Sequence, residues 1–242
     1  MDKIKIYWAP FVDEGHVNKN LIYNDPISLF NNISKVRNKK ADQDASMFSC
    51  PIVQEQYSNI FCFTNPIKSH YKLKMNANSN AVVMSLDNKS MSTNNVVQAS
   101  LDKNIMFEYE PKWIFFAEES VDMVTSAPYF NHAPHMQYGV MVPGKLDISK
   151  WFRVINIQFN LWQGVDEFII NKDEPLFYAN FITNKKIELV RFEMNDYLIK
   201  HARMIASSGE WEPRVPLVER FNRFRLSKTK DLILKEIKKQ VI

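Results

Sequence analysis

The stretch Arg153-Val154-Ile155-Asn156-Ile157-Gln158-Phe159-Asn160-Leu161-Trp162 decides the fold. Its odd positions Ile155, Ile157, Phe159 and Leu161 are apolar, and its even positions Asn156, Gln158 and Asn160 carry amides. A period of two sets one row of side chains toward a core and the other away from it. A helix would scatter the same residues around its circumference. We therefore expect a strand whose apolar face is covered and whose amide face meets water or a ligand.

Working outward, residues 138–192 continue as a run of strands with recognisable turns. Pro143-Gly144 precedes residues 146–148 and Gly164 precedes residues 168–170. The polar tip Asn171-Lys172-Asp173-Glu174, closed by Pro175, precedes residues 176–182, and Asn184-Lys185-Lys186 precedes residues 187–192. Connections this short predict antiparallel neighbours, because a parallel neighbour needs a crossover of about a dozen residues or more. The carboxylates at strand ends and tips, Asp166, Glu167, Asp173 and Glu174, are expected to be solvated.

Further strands are expected over residues 3–8, 58–64, 96–101, 104–109 and 113–117, and a hairpin over 70–75 and 81–85. One inserted helix is expected near residues 26–37, where Asp25-Pro26 is a helix start and Leu29, Phe30, Ile33 and Val36 recur at helical spacing. So many short strands predict a mainly β fold, an antiparallel β-sandwich or jelly-roll-like domain over residues 1–193, with C-terminal helices.

Residues 194–242 read as a basic helical extension. Asn195 or Asp196 caps a first helix with Tyr197, Leu198, Ala202 and Ile205 on one side and Gly209 near its end. A second carries Leu217, Phe221 and Phe224, and a third Ile233, Leu234, Ile237 and Val241. From Pro213 onward the basic residues are Arg214, Arg220, Arg223, Arg225, Lys228, Lys230, Lys235, Lys238 and Lys239, against Glu219, Asp231 and Glu236 only. This pattern fits a solvated helical face or a docking tail for a protein partner. No aromatic-basic platform accompanies it, which argues against nucleic acid.

Composition sets outer bounds. The chain has 242 residues, 45% of them hydrophobic, with 17 Phe, 9 Tyr and 5 Trp, enough for a packed core. Its formal net charge is +4, too small to imply a polyanionic partner by itself. No apolar run approaches the roughly 18 residues of a membrane-spanning helix. Residues 1–6 alternate charge with isoleucine as a strand does, not as a secretion signal does. Cys50 and Cys62 are expected to be small buried hydrophobes in a reducing compartment.

Two sets of residues are candidates for chemistry or binding. His132 and His135, in Asn131-His132-Ala133-Pro134-His135, follow Glu118, Glu119 and Asp122. Two histidines and a carboxylate with open positions would suit Fe(II) or another divalent metal in a cupin-like oxygenase, although their spacing departs from that of such enzymes. Asn156, Gln158 and Asn160 beside Trp162 form a second candidate, a face on which a sugar or peptide would be oriented by amides. A Gly-rich phosphate loop, HExxH, Cys-x-x-Cys and G-x-S-x-G are all absent from the sequence.

Phe115-Phe116-Ala117-Glu118-Glu119, Val142-Pro143-Gly144 with Asp147-Ile148, Trp151-Phe152-Arg153, and Glu174-Pro175-Leu176-Phe177-Tyr178 with Phe181 together resemble a family of uncharacterised proteins encoded by tailed bacteriophages. The resemblance covers about residues 113–192. It implies a phage setting, in the host cytoplasm or the virion, and supplies no activity. The expected function is a binding or structural role through protein–protein contacts or self-assembly, without catalysis or cofactor. The alternative is the metal-dependent oxygenase built on His132 and His135.

Overall fold

The computed structural model describes residues 2–11, 22–31, 50–75, 81–85, 97–99, 105–206 and 215–242. The first strands in chain order are β1 (Lys3–Pro10), β2 (Ile27–Ser28), β3 (Ile60–Thr64), β4 (Ser69–Met75), β5 (Ala81–Ser85), β6 (Val97–Ala99), β7 (Ile105–Tyr109) and β8 (Trp113–Ala117). They are followed by β9 (Asp122–Ser126), β10 (Gly139–Val142), β11 (Gly144–Asp147), β12 (Ile157–Leu161), β13 (Glu167–Ile170), β14 (Pro175–Ile182) and β15 (Lys186–Arg191). The helices are α1 (Pro51–Tyr57), α2 (Asp196–Ala206), α3 (Leu217–Leu226) and α4 (Thr229–Lys239), with a 3-10 turn at Pro134–Gln137.

The fold is mainly β, with C-terminal helices. Among the described residues the strands form sheets ordered β15-β1-β8, β10-β12-β7-β6, β11-β9-β14-β3-β2 and β13-β4-β5. Their pairings are antiparallel, including the hairpin of β4 and β5, with one exception. β1 and β15 run parallel, with Lys3 opposite Lys186 and Trp8 opposite Arg191.

The alternation of the opening stretch is realised. Ile155, Ile157, Phe159 and Leu161 are all buried, and Asn156 and Gln158 are exposed. The expectation that successive strands pair with one another needs correction. β12, β13, β14 and β15 each enter a different sheet. Their short connections are arches that carry the chain from one layer to another, so the buried rows of consecutive strands meet across the core. Phe159 of β12 and Phe168 of β13 have ring centroids 4.9 Å apart in this way. The same happens at Pro143, the single residue between β10, which pairs with β12, and β11, which pairs with β9. Proline has no amide proton to lose where a ladder ends.

The sheets share one core. Phe63 of β3 stacks on Phe177 of β14 at 5.0 Å and meets Trp113 and Phe115 of β8 edge-on at 5.0 and 5.2 Å. Phe107, Phe159, Phe168 and Tyr71 extend the same cluster between the β12 and β13 sheets. A second cluster lies on the outer side of β1 and β8. Tyr7, Ala9, Ile114 and Phe116 are covered there by Leu198, Ala202 and Ile205 of α2, Phe224 of α3, and Ile233, Leu234 and Ile237 of α4. The three described C-terminal helices, α2, α3 and α4, are thus docked and complete a core. α2 starts where expected, with Asn195 Oδ1 accepting the Leu198 amide at 3.0 Å. Val241 lies farther out than its stripe predicts, 44% exposed, and pairs by backbone with Phe192.

The helix expected near residues 26–37 begins later than the sequence signal. Ile27 and Ser28 add to β3 opposite Cys62 and Phe61, and helical backbone starts at residue 29. Ser28 Oγ accepts the Asn31 amide at 3.3 Å and serves as the cap, while the Asp25 carboxylate pairs with Arg191 at 3.1 Å. The continuation to residue 37 lies outside the described residues, as do Gly209 and Arg214. Cys62 is buried as expected, and burial pushes its thiol up to about 11. Cys50, at the start of α1, is instead exposed and free. No described helix is long and apolar enough to cross a membrane.

Candidate functional site

His132 and His135 part company at the 3-10 turn. His132 is exposed, and His135 has no exposure at all. The upstream acids join neither histidine: Glu118 pairs with Lys238, Glu119 with Lys185 and Asp122 with Lys145. Among the described residues no group of three or more His, Cys, Asp or Glu is arranged to hold a metal ion.

The acid that does meet His135 is Glu174, from the tip expected to be solvated. It is 7% exposed, held in the turn before β14 with its neighbour Asp173 at φ 61°, a conformation that aspartate tolerates. Glu174 Oε1 accepts from His135 Nδ1 at 2.7 Å and from the His135 amide at 2.8 Å. Its Oε2 accepts from the Asn171 amide at 2.9 Å and from Asn171 Nδ2 at 3.2 Å. Burial lowers the pKa of the His135 imidazole despite the opposing pull of Glu174. A neutral ring donating from Nδ1 leaves Nε2 as a bare acceptor, and that atom is buried without a partner among the described residues. The ring stands edge-on to Phe159, with centroids 5.5 Å apart. Burial also acts to raise the Glu174 pKa, but hydrogen bonds from the His135 and Asn171 amides and the imidazole outweigh it and hold the carboxyl below its ordinary value.

This pair continues into a wider buried network. Tyr109 Oη donates to Asn65 Oδ1 at 2.7 Å, the Asn65 amide donates to the Glu174 carbonyl at 2.8 Å, and the Asp173 amide donates to the Asn65 carbonyl at 2.8 Å. Four separate segments are pinned together by it. With the imidazole enclosed and its ring packed against Phe159 and Phe168, the arrangement acts as a clamp. Sequence reading missed Glu174 because nothing in a single chain separates a buried tip carboxylate from a solvated one.

The amide face lies on the outer side of the β10-β12-β7 sheet, and the C-terminal helices cover a different sheet. Asn156 and Gln158 are exposed, Asn160 is half-buried and Trp162 is 50% exposed. Asn156 Nδ2 donates to Glu108 of the neighbouring β7. The four residues predicted to bind thus share one side of the molecule, and the side chains of Gln158 and Trp162 make no hydrogen bond among the described residues.

The basic tail divides by partner. Lys238 pairs with Glu118 at 2.9 Å, Lys239 with Glu236 at 2.7 Å and Arg223 with Glu219 at 2.7 Å. Arg220 donates to the Ile205 carbonyl at 3.0 Å and ties α3 to α2. Arg225, Lys228 and Lys235 are exposed and make no ion pair among the described residues. Beside them stand Leu226, 81% exposed, and Leu232, 53% exposed. Comparison with family models, with curated proteins and with solved structures gives no match to this chain.

Proposed function

We propose that this chain is a non-catalytic binding protein, phage-encoded as its resemblance implies, that acts through protein–protein contacts at its basic helical corner. The observation that carries the reading is the outward side of α3 and α4. Their apolar stripe is fixed against β1 and β8. Lys228, Leu232, Lys235 and Lys239 then follow at helical spacing on the opposite side, all exposed, with Arg225 and Leu226 at the bend between the two helices.

Exposed leucines among cations, of which Arg225, Lys228 and Lys235 make no ion pair among the described residues, match a partner segment that is itself amphipathic and acidic, since complementary charge steers encounter and the apolar groups supply the contact that is buried. That row contains no aromatic side chain on which a base would stack. A metal-oxygenase reading would require His132 and His135 to converge, whereas one is exposed and the other enclosed beside Glu174.

Capture from phage-infected cells with the full-length protein, followed by mass spectrometry, tests this reading. An acidic protein should be retained, released at about 0.5 M salt, and lost with Lys228→Glu/Lys235→Glu at unchanged circular dichroism. Equal recovery by the parent and the charge-reversed form would remove the proposal.

A further inference from the structure

A cleft of 260 Å³ opens where the β9–β11 edge, residues 151–156 and β7 meet, and its Trp151 also packs on Phe221 of α3 with ring centroids 5.1 Å apart. Its polar lining is Glu108, Thr125, Lys145, Arg153 and Asn156, with Trp151 among the apolar groups. Arg153 is held there by its Nε, which donates to the Val154 carbonyl at 3.3 Å, and by its guanidinium carbon 5.9 Å from the centre of the Trp151 ring. Its two Nη groups have no acceptor among the described residues. Glu108 uses Oε1 to accept from Asn156 Nδ2, which leaves Oε2 and Asn156 Oδ1 without a donor. Arg153 and Glu108 line one cleft with opposite charges, and the carboxylate favours the charged guanidinium at a distance without closing an ion pair within 4.0 Å. The charge of Lys145 is already met by Asp122 at 2.7 Å.

A cleft that keeps a cation and an anion apart is complementary to a ligand carrying both charges. We propose that it binds a small zwitterion of α-amino-acid size, its carboxylate on the Arg153 fork and its ammonium on Glu108 Oε2 and Asn156 Oδ1. A planar guanidinium with two free N–H groups takes a carboxylate in bidentate fashion. The volume lies below the roughly 300 Å³ at which sites for drug-sized ligands begin, which restricts the ligand to a free amino acid or a molecule of similar size. Neither end of a longer peptide carries both charges on a single α-carbon.

The full-length protein is titrated with glycine and L-alanine, and with acetate and methylammonium as the two halves of the ligand, by ¹H–¹⁵N correlation spectra. The amino acids should give saturable shifts that include the Asn156 side-chain amide, and should bind at least tenfold more tightly than either half. Arg153→Gln should weaken both glycine and acetate at least tenfold, whereas Glu108→Gln should weaken glycine and spare acetate. Should Arg153→Gln fail to fold, Glu108→Gln at a half-exposed site still decides. No saturable shift, acetate binding as tightly as glycine, or glycine binding to Glu108→Gln unchanged would each overturn the assignment.

Discussion

Glu174 gathers four hydrogen bonds from His135 and Asn171 in a nearly dry setting, so its removal strands several donors at once. Glu174→Ala should cost about 3 kcal/mol of stability, measured by urea unfolding. Acid acts on the same pair. The unfolded chain carries histidine near its ordinary 6.5, whereas burial holds the folded His135 lower, so the unfolded state takes up that proton first as pH falls. Stability is therefore full above about pH 6.5 and declines below it, and Glu174, itself depressed, adds a further loss once pH drops below its ordinary 4.5. His135→Asn should flatten the part of the urea-derived stability profile below about pH 6.5 that belongs to the imidazole. Gly139 is a second critical residue: a Cβ there would lie 2.5 Å from the Asn160 carbonyl oxygen and 2.7 Å from Leu161 Cα. Gly139→Ala should force β10 off β12 and cost at least about 2 kcal/mol, read from the thermal midpoint.

Strand by strand, much of the molecule was legible in the sequence. The row Ile155, Ile157, Phe159 and Leu161 is buried because alternation is a local property that the pleat enforces. Which strands pair was not legible, since Phe159 and Phe168 meet across the core and not along a ladder, and a short tip such as 171–174 looks the same in either geometry. β9 and α1 went unread; Pro51 in the first turn of α1 was the available signal. Of the candidate site residues, the basic tail could be placed on helices from the sequence, but the exposure of Leu226 and Leu232 could not, because helical spacing alone does not say which apolar residues the sheet reaches. Ile233 and Leu232 give a test of helix orientation from adjacent positions. Ile233 is fully enclosed and Leu232 is 53% exposed. Ile233→Ala should destabilise by about 3 kcal/mol, whereas Leu232→Ser should stay within about 0.5 kcal/mol, both by chemical denaturation.

For the whole molecule, the helices of residues 194–242 are part of the structure they cover. A chain ended after Glu193 would uncover Tyr7, Ala9, Ile114, Phe116, Phe152 and Phe192 together, an apolar patch of the kind that drives association. It should elute from size exclusion as aggregate and bind more of a hydrophobic dye than the full chain does. The parallel pairing of β1 with β15 has a consequence in time. Residues 3–10 leave the ribosome before either strand that flanks them, one at 113–117 and the other at 186–191. At about 5–20 residues per second, the second of these emerges roughly 9–35 s later. Throughout that wait a nascent segment bearing Ile4, Ile6 and Trp8 stands unshielded, which makes the newborn chain a natural client for chaperones that hold extended apolar peptides.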